Sequence, residues 1–229
     1  MNPLYSWLID NLYNKTPKLR RLIMKTLYKD KDILIKLFDQ KLLINSIKEN
    51  GYLRASQLCE TSSLLRDEIS VILNISALLV ANDTFVDVGA NIGIFSSLIA
   101  RYFPVIPNLE IYAFEANPDT YERLKINAEQ YGFNAYNIAI SDQKGELDFV
   151  EGVVSHVFTT LENSSRYNLH NKTIKIACQR LDKIEITGNS IILKIDVEGQ
   201  ELQVLKGASS WFDHKRIKVI SHRNKEGNY

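Results

Sequence analysis

From Thr84 onward, short runs of β-branched and aromatic residues alternate with stretches in which apolar residues recur at helical spacing. The runs predict strands and the stretches predict helices. The predicted strands cover residues 85–88, 111–114, 135–140, 191–195 and 217–220. The predicted helices cover residues 92–102, 118–131 and 200–205. Continuous apolar strands separated by helices are typical of a parallel sheet covered on both faces, so the pattern predicts a doubly wound α/β domain.

The alternation stops between residues 142 and 190. Segments 146–150 and 173–179 are predicted to be antiparallel additions to the domain, joined by a polar loop over residues 155–172. This loop is expected to form part of the wall of the substrate site.

The first part of the chain differs from the rest in pattern and in charge. Apolar residues at helical spacing over residues 1–28 predict one or two amphipathic helices. Residues 32–46 favour a β-hairpin over a helix, and residues 64–80 predict a helix that leads into the main domain. We therefore divide the chain into an N-terminal helical and hairpin extension, 1–65, and a main domain, 66–229.

Residues 1–40 carry eight Lys and Arg against four Asp. A helix packed on the domain is the favoured interpretation of the N-terminal pattern. The alternative is a basic amphipathic helix that rests on an anionic membrane surface as a peripheral contact.

The composition is that of a soluble globular protein. The chain has 229 residues, 45% of them apolar, and a formal net charge of +1. This near-neutral balance argues against nucleic acid as a partner, which requires a strongly basic face. Cys59 and Cys178 are far apart and lack metal-ligand spacing. No secretion signal and no run of about 18 apolar residues is present, so a cytoplasmic protein without a transmembrane segment is expected.

The segment 85–93, FVDVGANIG, joins a predicted strand to a predicted helix through a turn with two glycines. Gly89 and Gly93 permit a sharp turn and leave room for a ligand beside the backbone, and the first amides of the helix offer unpaired donors. The turn therefore predicts a site for a nucleotide-like ligand.

This turn departs from the dinucleotide fingerprint G-x-G-x-x-G, because Asn91 and Ile94 stand where that motif has glycine. The departure opposes the alternative of an NAD-dependent dehydrogenase. The carboxylate of Asp87, just before the turn, suits a ligand with a positively charged amine. S-adenosylmethionine carries such an amine.

A second acid ends the next predicted strand. Glu115 follows Gly93 by 22 residues, and a carboxylate at this place can accept both hydroxyls of a ribose. Pro118 fits the first turn of the helix that comes next, since its missing N–H loses nothing there. The two features together strengthen the prediction of a nucleoside-containing ligand.

The segment 193–202, LKIDVEGQEL, places charged residues at the carboxyl end of an otherwise apolar strand, where ligands bind in open α/β sheets. Burying Lys194 is costly unless it pairs with a carboxylate. The partners available at this edge are Asp87, Glu115 and Asp196. A structural ion pair and a catalytic role are both open to Lys194.

The segments containing these residues resemble the FkbM-type S-adenosylmethionine-dependent methyltransferases, and the similarity covers about residues 66–220. The matching segments, in order, are 86–93, 113–118, 137–141, 180–182 with 194–199, and 205–208. The resemblance implies a class I methyltransferase fold, with a mostly parallel Rossmann-like sheet. It also implies O-methylation of a hydroxyl on a sugar or a secondary metabolite, with a small molecule or a glycan as the acceptor.

The resemblance also implies roles for individual residues. Asp87, Gly89, Asn91 and Gly93 would hold the methionine part of S-adenosylmethionine, and Glu115 would hold the ribose. Asp196 would face the methyl group. The remaining members of the predicted cofactor-binding set are Ala90, Asn117, Ser141 and Asp142, of which Ser141 or Asp142 would lie on the adenine side.

A hydroxyl acceptor must lose its proton. The candidate bases are Asp196, then Glu198, then His156 or His170 in the polar loop. Asp196 and Glu198 could instead hold a divalent ion such as Mg²⁺, a role that two acids neither exclude nor establish.

In the family the sheet continues beyond the strand at 217–220, whereas here only residues 221–229 follow. Either the sheet is short or the chain is truncated at this edge. A catalytically inactive cofactor-binding remnant, or an interaction module, is therefore the alternative function.

Overall fold

The computed structural model describes residues 26, 29–57, 63–151, 158–160, 173–188 and 190–222. The hairpin predicted near the N-terminus is confirmed, with antiparallel pairing of its two strands. Phe38 and Asp39 form its two-residue turn, and both have positive φ, as turns matched to strand twist require. The first elements are β1 (Asp32–Leu37), β2 (Gln40–Asn45), α1 (Asn50–Gln57) and α2 (Ser63–Leu78).

The main domain follows with alternating strands and helices, at bounds close to those predicted. Its first elements are β3 (Asp83–Val88), α3 (Ile94–Tyr102), β4 (Glu110–Phe114), α4 (Pro118–Tyr131) and β5 (Asn134–Tyr136). Four strands come next: β6 (Ala139–Ile140), β7 (Gly145–Glu151), β8 (Phe158–Thr160) and β9 (Thr173–Gln179). The last elements are β10 (Ser190–Ile195), α5 (Glu201–Gly207), α6 (Ser209–Asp213) and β11 (Ile217–His222).

Five of these strands form a parallel sheet in the order β11-β10-β3-β4-β5. The chain leaves β3 in one direction, through β4 and β5, and later returns to the other side of β3 through β10 and β11. The strand order therefore reverses between β3 and β10. At such a reversal the carboxyl ends of the strands border a crevice in which ligands bind.

A second sheet, in the order β6-β9-β7-β8, contains the predicted antiparallel additions. The prediction of one strand over 135–140 was wrong, because the chain passes there from the first sheet to the second. The Asn137 side chain marks this change, donating hydrogen bonds to the carbonyl oxygens of Glu115 and Ala116 at 2.8 and 3.2 Å. The polar loop over 155–172 contains a strand, β8, and the rest of that loop, with His156 and His170, lies outside the described residues.

Both faces of the parallel sheet carry a hydrophobic core. Phe85 packs in one cluster with the hairpin, α2 and α3, whereas its neighbour Val86 packs in another with α5 and α6. The hairpin thus shares a core with β3 and α3, and the proposed division after residue 65 stays a prediction. The helices predicted over 1–28, apart from Thr26, and the tail 223–229 lie outside the described residues.

Candidate functional site

The carboxylate of Glu115 joins the two turns that follow β3 and β4. Its Oε2 accepts the backbone N–H of Asn91 at 2.8 Å, and its Oε1 accepts that of Asn117 at 2.9 Å. Glu115 is only 8% exposed. The structure therefore brings together the glycine turn and the strand-end acid that the sequence singled out separately.

Burial raises the pKa of Glu115 to about 7. The two backbone N–H bonds and the charge of Lys194 act in the opposite direction, and the nearby charge of Asp87 adds to the rise. The Glu115 carboxyl group therefore titrates near neutral pH, whereas an exposed glutamate titrates in the acidic range.

Close backbone packing explains why glycine stands at position 89. Gly89 has a φ of 76°, and a Cβ there would lie 2.1 Å from the carbonyl oxygen of Asp196. The amides of Gly89 and Ala90 both donate to the carbonyl of Phe114 at 3.0 Å. The end of β10 therefore requires glycine here, and the approach of a ligand to this turn stays a prediction.

A positive φ and close packing against α4 favour glycine at position 93. Its φ is 80°, and a Cβ there would lie 2.6 Å from the Cδ1 atom of Leu124 on α4. The turn between β3 and α3 is thus held against α4 as well as against β10.

Lys194 forms a buried ion pair with Asp87 on the neighbouring strand. Its Nζ lies 2.8 Å from Asp87 Oδ1 and 4.7 Å from the centre of the Phe95 ring. The other Asp87 oxygen accepts the Ser96 hydroxyl at 2.9 Å. The predicted pairing of Lys194 with a carboxylate is confirmed, and Asp87 is the partner. Both Asp87 oxygens have partners inside the protein, so direct contact of Asp87 with a ligand stays a prediction.

The pKa of Lys194 is raised although the side chain is buried. Burial lowers it, but the charges of Asp87 and Asp196 and the hydrogen bond to Asp87 outweigh the burial. Lys194 is therefore positively charged in the folded protein.

The two predicted catalytic acids follow β10. Asp196 is half-buried, and its backbone N–H donates to the carbonyl of Val88 at 2.9 Å. Glu198 is also half-buried, and its carbonyl accepts the hydroxyl of Thr159 on β8 at 2.8 Å. Asp196 thus lies beside the glycine turn, and Glu198 lies where the second sheet approaches that edge.

Residues 87–228 match the family model described as the methyltransferase FkbM domain. The chain belongs to this family. Hexuronic acid methyltransferase AglP of Haloferax volcanii is 28% identical over 148 residues, which are 64% of this chain and 58% of that protein. The chain thus spans 58% of the length of this curated relative. The crystal structure of methyltransferase FkbM from Methylobacillus flagellatus aligns with this chain at a TM-score of 0.41 and 19% sequence identity. The alignment covers 63% of this chain and 34% of that chain.

One acid of this FkbM chain was missed by the sequence analysis. Glu68 on α2 is buried, and its negative charge contributes to the raised pKa of Lys194. The signal was present, since Glu68 stands in line with Ile72 and Ile75 on the core side of the helix. A charged residue at a core position of an amphipathic helix indicates a buried charged partner.

Ser141 and Asp142 lie in a different hydrogen-bond network of the FkbM chain. The Ser141 amide donates to the carbonyl of Gln179, and Arg180 donates to the carbonyl of Asp142, both at 3.0 Å. Arg180 also pairs with Asp182 at 2.7 Å. None of the hydrogen bonds seen in the described residues joins this network to Glu115, and the adenine role of Ser141 or Asp142 stays a prediction.

Asn117 caps α4 and leaves one polar atom unused. Its Oδ1 accepts the Asp119 amide at 3.0 Å, whereas its Nδ2 is buried without a hydrogen-bond partner among the residues that the structure describes. This unused donor is two residues from Glu115, on the predicted cofactor side.

The described part of the FkbM chain holds no group of three or more His, Cys, Asp or Glu side chains that could bind a metal ion. Within the same residues, no helix is both long and apolar enough to cross a membrane.

Proposed function

We propose that this FkbM chain is an S-adenosylmethionine-dependent methyltransferase that transfers a methyl group to a hydroxyl oxygen of a sugar or a secondary metabolite. The observation that carries the proposal is the hydrogen bond between the Asn91 amide and Glu115, because it unites the glycine turn and the ribose-type acid. The proposal includes a doubly wound, class I arrangement of the parallel sheet, and the cytoplasm as its location.

The polar groups at this edge suit S-adenosylmethionine. Each Glu115 oxygen accepts one backbone N–H, and a carboxylate offers about four acceptor positions in all, so capacity remains for the two ribose hydroxyls. The unused Nδ2 of Asn117 supplies a donor nearby. When Glu115 is ionised, it and the neighbouring pair of Asp87 and Lys194 together carry one net negative charge, which favours a positively charged ligand.

The residues that would hold the cofactor are those of the glycine turn for the methionine part, Glu115 and Asn117 for the ribose, and Ser141 or Asp142 for the adenine. Bound S-adenosylmethionine supplies an electrophilic methyl group on a positively charged sulfur. In this proposal Asp87 acts indirectly. Its bonds to Lys194 of β10 and to Ser96 of α3 fix the positions of the two elements beside the glycine turn.

In the proposed reaction Asp196 accepts the proton of the acceptor hydroxyl, with Glu198 as the second candidate. Methyl transfer needs the acceptor oxygen held in line with the methyl carbon, so orientation contributes much of the acceleration. β8 lies against Glu198 and Gln200 through Thr159 and Thr160, and we assign this border to the acceptor side.

Glycans that contain a uronic acid are the first acceptors to test, because the relative AglP is named a hexuronic acid methyltransferase. The purified chain is titrated with S-adenosylhomocysteine, with NAD as the control ligand, and with and without Mg²⁺. It is then incubated with methyl-labelled S-adenosylmethionine and either uronic or neutral oligosaccharides. Binding of the first ligand alone and label in the glycan support the proposal, whereas binding without transfer to any acceptor favours the inactive alternative.

A further inference from the structure

The N-terminal hairpin contacts both helices that begin at the candidate site. At its turn, the Tyr102 hydroxyl at the end of α3 donates to the carbonyl of Phe38 at 2.8 Å. Beyond β2, Glu49 pairs with the buried Arg123 of α4 at 2.9 Å. Since α3 begins after the glycine turn and α4 begins after Glu115, the hairpin holds the two helices that carry these elements.

Asn127 of α4 makes the most direct link between the hairpin and the glycine turn. Its Oδ1 accepts the Leu43 amide of β2 at 2.8 Å. Its Nδ2 donates to the Leu43 carbonyl at 3.2 Å and to the carbonyl of Ile92, inside the turn, at 2.9 Å. Asn127 is fully buried, so water does not replace these bonds.

We propose that Asn127 is a positioning residue, which ties the hairpin to the glycine turn and thereby holds the Asn91 amide against Glu115. The position of the hairpin then sets the geometry of the candidate cofactor site. Only the effect on cofactor affinity rests on the proposed function, since the contacts themselves need no ligand.

The chemistry of the three contacts requires an asparagine. One amide side chain supplies two N–H donors to two carbonyls and an acceptor to one backbone amide. An aspartate would place a second acceptor against the Leu43 and Ile92 carbonyls. A leucine of similar size would leave three buried backbone groups without their partner.

The test follows amide hydrogen exchange in the full chain without cofactor, by NMR, for Asn127→Asp and Asn127→Leu. We expect the Asn91 amide to exchange about tenfold faster than in the wild type, as when a buried hydrogen bond is lost. Gln130→Ala is the matched control, because Gln130 donates from the same helix to the Lys41 carbonyl of β2 without reaching the turn. Unchanged Asn91 exchange in both Asn127 variants would overturn the proposal.

Ile176→Ala distinguishes a specific effect of Asn127 on Asn91 exchange from a general loss of stability, because it removes core volume in the second sheet. If this variant loses as much unfolding free energy and speeds Asn91 exchange equally, Asn127 has no positioning role. The milder Asn127→Ser replaces any Asn127 variant that does not fold.

The second readout is the affinity for S-adenosylhomocysteine, measured well below the melting temperature. We expect about tenfold weaker binding by Asn127→Asp and no change in Gln130→Ala. Unchanged affinity in Asn127→Asp overturns the predicted effect on the cofactor site. If the wild type binds no S-adenosylhomocysteine, the proposed function fails, and the Asn91 exchange rates still decide the role of Asn127.

Discussion

Lys194 and Asp87 face each other across β10 and β3, in register, with their charged groups 2.8 Å apart and almost completely buried. The pair lies where the strand order of the parallel sheet reverses. It holds together the strands that end in the glycine turn and in Asp196, so its integrity determines the shape of the candidate site.

Replacing Lys194 by methionine should lower the free energy of unfolding by about 3 to 5 kcal/mol, because the carboxylate of Asp87 is left buried without its cation. Urea unfolding measures the change. Lys175→Met is the control, since Lys175 pairs with Asp148 at 3.5 Å on the surface and should cost less than about 1 kcal/mol. Equal losses of unfolding free energy in the two variants would mean that the buried pair stabilises the fold no more than the exposed pair does.

The sequence predicted the elements of the parallel sheet because their apolar periodicity is local. It narrowed the partner of Lys194 to three acids, and the choice of Asp87 needed the register of β3 and β10. The contacts of Asn127 could not be predicted, since Leu43 is 84 residues away and no local pattern specifies that approach. The division of segment 135–140 between two sheets likewise depends on a distant partner, β9.

Removing the Glu115 side chain should weaken the binding of S-adenosylhomocysteine. Glu115→Ala deletes the proposed acceptor of the ribose hydroxyls and the hydrogen bonds to the Asn91 and Asn117 amides, and we expect a loss of about 1 to 3 kcal/mol in binding free energy. Isothermal titration measures it, with Glu122→Ala, an exposed acid of α4, as the control. Wild-type affinity in Glu115→Ala would remove Glu115 from the ribose role.

Glu115 should also make stability depend on pH. Its pKa is about 7 in the folded protein against an ordinary value of 4.5, so the folded state keeps a proton that the unfolded state has released. The stabilisation from this group is complete below pH 4.5 and is lost as the pH rises through 7. Between pH 5 and pH 8, the free energy of unfolding should fall more steeply for the wild type than for Glu115→Gln. Identical slopes would show that Glu115 titrates normally.

Asp196→Asn should reduce turnover while sparing cofactor affinity. The asparagine side chain keeps the size of the aspartate but cannot take the proton from the hydroxyl that is methylated. We therefore expect a loss of about 10²- to 10⁴-fold in kcat. Labelled methyl transfer and S-adenosylhomocysteine titration are measured side by side, with Glu198→Gln for comparison. Full activity in Asp196→Asn would exclude it as the base and direct attention to Glu198.

Deleting residues 1–28 should leave the affinity for S-adenosylhomocysteine intact, whereas deletion through residue 46 should abolish it. The first deletion retains the hairpin and its contacts with Asn127 and Tyr102. The second removes apolar residues of the core shared with β3, including Leu42 and Ile44, as well as Leu43, whose bonds with Asn127 link the hairpin to the glycine turn. Circular dichroism establishes which variants fold before titration. Loss of binding in a folded protein lacking only 1–28 would mean that this segment, rather than the hairpin, completes the site.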